Sequence, residues 1–165
     1  MKKIAFAGLG SMGLPMAKNL VSKGFNVQGY DTNPKALESF CAAGGTVTAT
    51  AAEAATGAEA MLLMVVNAAQ AEAVLFGAGA LDALPANAIV CLMATCPPGS
   101  VEKIAERVEA AGKRFVDAPV SGGTAGAIAG SLTIMAATAK STFDEIKPAF
   151  DAMGQRIFHV GDKAC

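Results

Sequence analysis

Short apolar runs and amphipathic segments alternate from the beginning of the chain. The runs Lys3–Ala7 and Asn26–Tyr30 are typical of β-strands, whereas residues 15–23 between them carry apolar side chains at helical spacing. Pro34 stands where the first turn of another helix is expected, because proline loses no helical hydrogen bond there. This alternation predicts βαβ units that share a parallel sheet.

The same alternation continues along the rest of the chain. Further strands are predicted at residues 61–66, 89–93, 115–118, 132–136 and 157–160, and further helices at residues 68–75, 100–111 and 142–153. Ser100 and Ser141 are expected to cap the last two helices, while the Ala- and Gly-rich residues 42–60 favour no single element. The prediction is one α/β domain over residues 1–165, with a Rossmann-type, doubly wound, mainly parallel sheet and helices on both faces.

Charge and composition narrow the choice of partners. Thirteen basic and fourteen acidic residues leave a net charge of −1, which argues against nucleic acid and favours a small molecule. No apolar run reaches the roughly eighteen residues of a membrane span, and the four cysteines show no C-x-x-C spacing. No signal sequence opens the chain, so reduced thiols and a cytoplasmic location are expected. The single histidine, His159, stands in an apolar run, which favours a structural role, and no metal site is predicted.

A glycine pattern, G-x-G-x-x-G, follows the first predicted strand directly. It consists of Gly8, Leu9, Gly10, Ser11, Met12 and Gly13. The first glycine permits a tight turn, the second lets a pyrophosphate approach the backbone, and the third allows close contact between helix and strand. The following helix N-terminus offers free N–H groups to phosphates. The pattern in this context predicts a dinucleotide site.

Asp31 strengthens this prediction because it closes the second strand, eighteen residues after Gly13. An acidic side chain there accepts hydrogen bonds from the adenosine ribose, and Thr32 and Asn33 are placed with it in the cofactor site. A carboxylate would repel the 2′-phosphate of NADP, and Thr32 stands where an arginine could have accommodated that phosphate. The expected cofactor is therefore NAD. The alternative is an ordinary glycine turn and a solvated aspartate in another α/β protein.

A second candidate segment, residues 117–123, runs from a strand end at Asp117 into a serine–glycine loop. Open α/β sheets bind ligands outside the carboxyl ends of their strands, so this loop is expected to face the same crevice as the glycine turn. The amides of Gly122 and Gly123 can bind a carboxylate, and the Ser121 hydroxyl can donate to an oxygen of the substrate. An ordinary tight turn remains the alternative.

These segments together resemble the 3-hydroxyisobutyrate dehydrogenase family, also called the β-hydroxyacid dehydrogenases. The resemblance rests on GLGSMGLPMAKNL at residues 8–20, on Thr95 within MATCP, and on DAPVSGG at residues 117–123. It implies that Val66, Asn67 and Thr95 line the nicotinamide side of the cofactor. It also implies that Ser121, Gly122 and Gly123 bind the substrate. For Asn67 and Gln70, a helix cap and a solvated helix face are the alternatives.

Within the family, VVNAAQ at residues 65–70 and VLFG at residues 74–77 are most similar to the L-threonate dehydrogenases. The resemblance implies oxidation of a small hydroxy acid by hydride transfer to NAD. The alternatives are a 3-hydroxyisobutyrate dehydrogenase or a 2-hydroxy-3-oxopropionate reductase, which usually carry proline where this chain has Val66. A non-catalytic dinucleotide-binding module is an alternative of another class.

The resemblance places the catalytic lysine of the family on a helix beyond Cys165, so no catalytic residue is assigned within residues 1–165. Lys163 follows a glycine and an aspartate in a predicted turn, where a solvated role is expected. The helical second domain, which completes the substrate pocket in the family and mediates its oligomerisation, is expected to be absent from this chain. The intact enzyme is expected to be a homo-oligomer.

Overall fold

The computed structural model describes residues 2–164, which form one nine-stranded sheet. The strands are β1 (Lys3–Ala7), β2 (Asn26–Tyr30), β3 (Thr46–Val47), β4 (Ala60–Leu63), β5 (Ile89–Leu92), β6 (Arg114–Asp117), β7 (Val120–Ser121), β8 (Leu132–Ala137) and β9 (Gly154–Gly161). The first six strands are parallel, in the order β3-β2-β1-β4-β5-β6. β8 runs antiparallel to β6 and β7, and β9 pairs in parallel with β8. The predicted mainly parallel sheet is confirmed.

Helices connect most of the strands. They are α1 (Gly13–Ser22), α2 (Pro34–Ala42), α3 (Ala51–Ala55), α4 (Ala68–Glu72), a π-helical turn (Ala73–Gly77), α5 (Ala80–Ala83), α6 (Pro98–Ala110), α7 (Gly123–Ala129) and α8 (Lys140–Met153). The residues 42–60, which the sequence left unassigned, contain the end of α2, the short strand β3 and the alanine-rich α3.

Two apolar cores cover the two faces of the sheet. Successive residues of a strand point to opposite faces, so Ile4 and Phe6 pack into one core, while Ala5 and Ala7 pack into the other. The first core contains α1, α2, α7 and α8, and the second contains α3, α5 and α6. This arrangement confirms the doubly wound fold.

Several predicted boundaries are wrong. Ser100 and Ser141 cap no helix, because α6 begins at Pro98 and α8 at Lys140 with no side-chain cap. Proline is favourable in the first turn of a helix, so α6 begins at Pro98, two residues before Ser100. β4 ends at Leu63 rather than at Val66, because the Met64 carbonyl turns against Gly8.

Among residues 2–164, no helix combines the length and the apolar character that a membrane span requires.

Arg114 on β6 and Glu145 on α8 form a two-pronged ion pair, with N–O distances of 2.5 and 3.0 Å. The hydrogen bond from Arg114 lowers the pKa of Glu145. A carboxylate whose pKa is lower in the folded than in the unfolded chain stabilises the fold at pH values above its unfolded pKa. This stabilisation is lost as the pH falls through the pKa of the folded state.

We expect Glu145→Gln to lower the free energy of unfolding at pH 7 by no more than about 1 kcal/mol, because both partners are partly exposed. The difference in the free energy of unfolding between the variant and the wild type should become smaller below about pH 4, where the Glu145 carboxylate of the wild type becomes protonated. Urea unfolding of both proteins between pH 3 and pH 7 measures it. A difference that stays constant over this range would contradict the assignment.

Candidate dinucleotide-binding site

Five parallel strands, β1, β2, β4, β5 and β6, end at the same edge of the sheet. The chain builds the sheet outward in both directions from β1, and open α/β sheets bind ligands at such a reversal. The predicted site residues follow these strand ends. The glycine turn comes after β1, Asp31 after β2, Val66 after β4 and Thr95 after β5. The fold therefore places these segments along one edge.

The three glycines of the turn differ in the space around them. Gly8 has a φ of +92°, and a Cβ there would lie 2.3 Å from the Met64 carbonyl oxygen. A Cβ on Gly13 would lie 1.8 Å from the Gly8 carbonyl oxygen. In contrast, a Cβ on Gly10 would meet no atom within 4 Å, and Gly10 has no positive φ. The fold itself requires the first and third glycines, whereas the second leaves open space at the exposed side of the turn.

The remaining residues of the turn divide between core and surface. Leu9 is buried, Met12 packs partly against the core, and Ser11 is exposed. No side chain caps the N-terminus of α1. The Leu14 and Met16 amides of the first turn already donate to the Gly10 and Met12 carbonyls, and Pro15 has no N–H. The attraction that α1 offers an anion is therefore mainly the partial positive charge of its dipole.

The Asp31 carboxylate bridges the glycine turn and the loop after β2. Its Oδ2 accepts a hydrogen bond from the Leu9 amide at 2.5 Å, and its Oδ1 accepts one from the Asn33 amide at 2.7 Å. A carboxylate can accept about four hydrogen bonds, so two positions remain for a ligand. The Asn33 side chain instead caps α2 by accepting from the Lys35 amide at 3.1 Å. Asn33 therefore has a structural contact that the sequence prediction did not include.

A cleft of about 480 Å³ opens beside Asp31. Its walls consist of Gly8, Tyr30, Asp31, Thr32, Val65, Gln70, Ala73, Val74, Gly77 and Ala78. Gly8, Asp31 and Thr32 were predicted cofactor residues. The far wall of the cleft consists of Gln70, Ala73, Val74, Gly77 and Ala78, and it was not predicted from the sequence. The small residues at positions 73, 77 and 78 were a signal that a flat ligand could approach this part of the chain.

The far wall is built on the π-helical turn Ala73–Gly77, in which the Ala78 amide donates to the Ala73 carbonyl at 2.8 Å. Such turns occur often at functional sites. Contacts on the side away from the cleft stabilise this turn. The Arg107 guanidinium stacks 3.4 Å from the centre of the Phe76 ring and forms an ion pair with Glu72 at 3.6 Å. The wall is therefore fixed by contacts outside the cleft.

The segment after β4 borders this cleft at Val65 and leads into α4. Asn67 caps α4, since its Oδ1 accepts from the Gln70 amide at 2.9 Å. Gln70 Oε1 in turn accepts from the Val66 amide at 3.0 Å. The helix-cap alternative for Asn67 is thus present in the structure, and Gln70 does more than face solvent.

Thr95 is exposed just beyond the end of β5. Its neighbour Cys96 has a pKa raised by burial and by the nearby carboxylate of Asp117. The Cys96 thiol therefore stays protonated at neutral pH. A neutral thiol is a poor nucleophile, which argues against covalent chemistry at this position.

The predicted substrate loop is exposed at the start of α7. Gly122 and Gly123 have φ values of +135° and +61°, so both occupy conformations that favour glycine. α7 packs against α1, and Asn19 Nδ2 donates to the Ala127 carbonyl at 2.8 Å. A second cleft of about 450 Å³ lies between these helices and is lined by Gly10, Ser11, Leu14, Pro15, Lys18, Asn19 and Ile128. Ser121, Gly122 and Gly123 line neither of the two clefts.

Known proteins match this chain over almost its whole length. Residues 3–161 match the family described as the NAD binding domain of 6-phosphogluconate dehydrogenase. The L-threonate dehydrogenase of Cupriavidus necator is 38% identical over 161 residues, which are 97% of this chain and 54% of the relative. The NAD-dependent L-serine dehydrogenase of Pseudomonas aeruginosa is also 38% identical, over 98% of this chain and 54% of the relative. The chain spans about half the length of these curated relatives.

Among solved structures, the 3-hydroxyisobutyrate dehydrogenase of Mycobacterium tuberculosis, solved with L-serine, matches with a TM-score of 0.95. It is 32% identical, and the match covers 99% of this chain and 56% of that protein. The predicted cofactor, NAD, agrees with the family description. The chain therefore belongs to the family of NAD-binding domains described for 6-phosphogluconate dehydrogenase, and over nearly its whole length it is similar to one half of the L-threonate and 3-hydroxyisobutyrate dehydrogenases.

Proposed function

We propose that this chain supplies the cofactor site and part of the substrate site of an NAD-dependent dehydrogenase that oxidises a small hydroxy acid. The main support is the glycine turn, where only Gly10 has open space around it and where the Asp31 carboxylate meets the Leu9 amide. This combination suits a pyrophosphate at the turn and a ribose beside Asp31. NAD, when bound, accepts the hydride of the substrate, and the protein contributes orientation and electrostatics.

Each predicted residue has a role in this proposal. The turn from Gly8 to Gly13 holds the pyrophosphate, and Asp31 with Thr32 and Asn33 binds the adenosine ribose. The nicotinamide side of the cofactor is lined by Val66, Asn67 and Thr95. Ser121 and the amides of Gly122 and Gly123 bind the substrate carboxylate or hydroxyl, because a hydroxyl donor and two backbone donors suit such oxygens.

The substrate class follows from the relatives, whose names specify L-threonate, L-serine and 3-hydroxyisobutyrate, all small acids that carry a hydroxyl group. L-threonate is the proposed substrate, on the resemblance at residues 65–70 and 74–77. A lysine on a helix of a second domain would serve as the acid/base group, and that domain would mediate assembly into a homo-oligomer. These two features belong to the proposed whole enzyme.

Asp31 offers a direct test of the cofactor assignment. We expect the chain to bind NADH more tightly than NADPH, and we expect Asp31→Asn to narrow this preference by about 1–3 kcal/mol. The substitution removes the charge that repels a 2′-phosphate while it keeps one acceptor oxygen for the backbone amides. Calorimetric titration of both proteins with both cofactors measures the change. Equal or tighter binding of NADPH by the wild type would contradict the proposal.

A further inference from the structure

The segment that joins β4 to α4, residues 64–67, lies directly against the glycine turn. The Met64 amide donates to the Ala7 carbonyl at 2.9 Å, and the Met64 carbonyl occupies the space where a Cβ of Gly8 would stand. β4 lies between β1 and β5 in the sheet. Segment 64–67 therefore begins between the glycine turn, which follows β1, and Thr95, which follows β5.

A reciprocal pair of hydrogen bonds holds the far end of this segment. The Asn67 side chain accepts from the Gln70 amide, and the Gln70 side chain accepts from the Val66 amide. The Val66 amide therefore has a side-chain partner four residues ahead, and its loss would free the backbone around Val66. Gln70 also lines the cleft beside Asp31, so it links the cleft wall to segment 64–67.

Val66 is held in an exposed position by this arrangement. Its side chain is 79% exposed, the largest exposure among the exposed large apolar residues of the described chain. A β-branched side chain has few rotamers, so its direction follows from the backbone beneath it. A pinned backbone thus presents a fixed apolar surface at the edge of the sheet where a ligand is expected.

We propose that Gln70 is a positioning residue for the nicotinamide half of the cofactor. By accepting the hydrogen bond of the Val66 amide, it holds segment 64–67 so that the Val66 side chain contacts the nicotinamide. The inference rests on the proposed function, because it presupposes a dinucleotide in the cleft. It goes beyond that function by giving Gln70, which the sequence assigned only to a helix face, an indirect effect on one half of the ligand.

Ligand truncation tests this inference. The affinities of the wild type and of Gln70→Ala are measured by calorimetry for NADH and for ADP-ribose, which lacks the nicotinamide. We expect the variant to bind NADH roughly three- to tenfold more weakly, the scale of one lost hydrogen bond, and to bind ADP-ribose within about twofold of the wild type. An equal loss for both ligands would overturn the inference, because it would make Gln70 a direct contact of the adenosine half. Unchanged NADH affinity would overturn it as well.

Val66→Ala provides a second route. If Gln70 acts through Val66, the Gln70→Ala substitution should cause no further loss of NADH affinity in a Val66→Ala background, whereas independent effects would add. Additive losses would overturn the inference. Val66 is exposed, so its truncation should leave the fold intact.

The chain contains a matched control at the start of α3. Glu53 accepts from the Ala49 amide at 2.9 Å, and its own amide donates to Thr50 at 3.1 Å, so the same reciprocal cap occurs there. None of these three residues lines the cleft. Glu53→Ala should therefore lower the thermal midpoint about as much as Gln70→Ala and leave NADH affinity unchanged. If the wild type binds no NADH, the proposed function fails, and this outcome requires no variant.

Discussion

Gly10→Val is expected to abolish NADH binding while the domain stays folded. A Cβ at Gly10 meets nothing within 4 Å, and the backbone needs no positive φ, so the fold has no reason to reject a side chain there. The added methyl groups would instead occupy the space that a pyrophosphate needs to reach the turn. We expect affinity to fall by about a hundredfold or more, with a far-UV spectrum like that of the wild type. Fluorescence titration with NADH and circular dichroism measure the two quantities.

Gly13→Ala is the informative contrast. Its Cβ would lie 1.8 Å from the Gly8 carbonyl oxygen and 3.1 Å from the Phe6 ring, so even the smallest side chain must displace backbone. This variant should lose thermal stability and NADH affinity together. If Gly10→Val binds NADH as well as the wild type, the open space at the turn does not belong to a pyrophosphate, and the proposed site is wrong.

The 165-residue chain is expected to bind NAD but to oxidise hydroxy acids very slowly. Among residues 2–164, no lysine or histidine lines the cleft beside Asp31. His159 Nε2 lies 2.7 Å from the Thr138 carbonyl oxygen and its ring packs on Phe143, as expected for a structural histidine. A missing acid/base group typically costs about 10²–10⁴ in rate, and incomplete positioning of the substrate adds to this loss.

Lys163 is too far from the proposed chemistry to replace that group. β8 runs antiparallel to β6, and β9 follows the direction of β8, so the end of β9 points away from the edge that carries the glycine turn. Lys163 lies there in a small cleft with Lys113 and Arg114, at the start of β6. The turn position predicted for Lys163 is consistent with this location.

The measurement is NADH formation with L-threonate, L-serine and 3-hydroxyisobutyrate, beside the full-length L-threonate dehydrogenase of Cupriavidus necator as a reference. A kcat within tenfold of that enzyme would place an acid/base group inside this chain. Lys18 would then be the residue to replace by methionine, because it lies beside Gly10 and Ser11, where its Nζ donates to Ser39. NADH binding without any turnover would also be expected of a non-catalytic module, and turnover after addition of a second domain would exclude that alternative.

The fold class and the segments that we propose for the near side of the cofactor site could be predicted from the sequence. Strand and helix alternation reflects the local period of apolar residues, and the glycine turn and Asp31 lie within one βαβ unit. These features depend mainly on residues that are close in sequence, because the types and spacing of such residues limit the backbone conformations that the segment can adopt. The role of each glycine in the turn could be predicted for the same reason, and the open space at Gly10 agrees with that prediction.

The far wall of the cleft and the reversal of β8 could not be predicted from the sequence. Val65 and the π-helical turn reach Asp31 because β4 pairs with β1, a contact between segments more than fifty residues apart. A local sequence pattern cannot predict this pairing, because the free energy of the contact depends on packing between strands that are distant in sequence. The same packing ends β4 at Leu63, where the Met64 carbonyl meets Gly8, and so turns Val66 out of the predicted strand and into solvent.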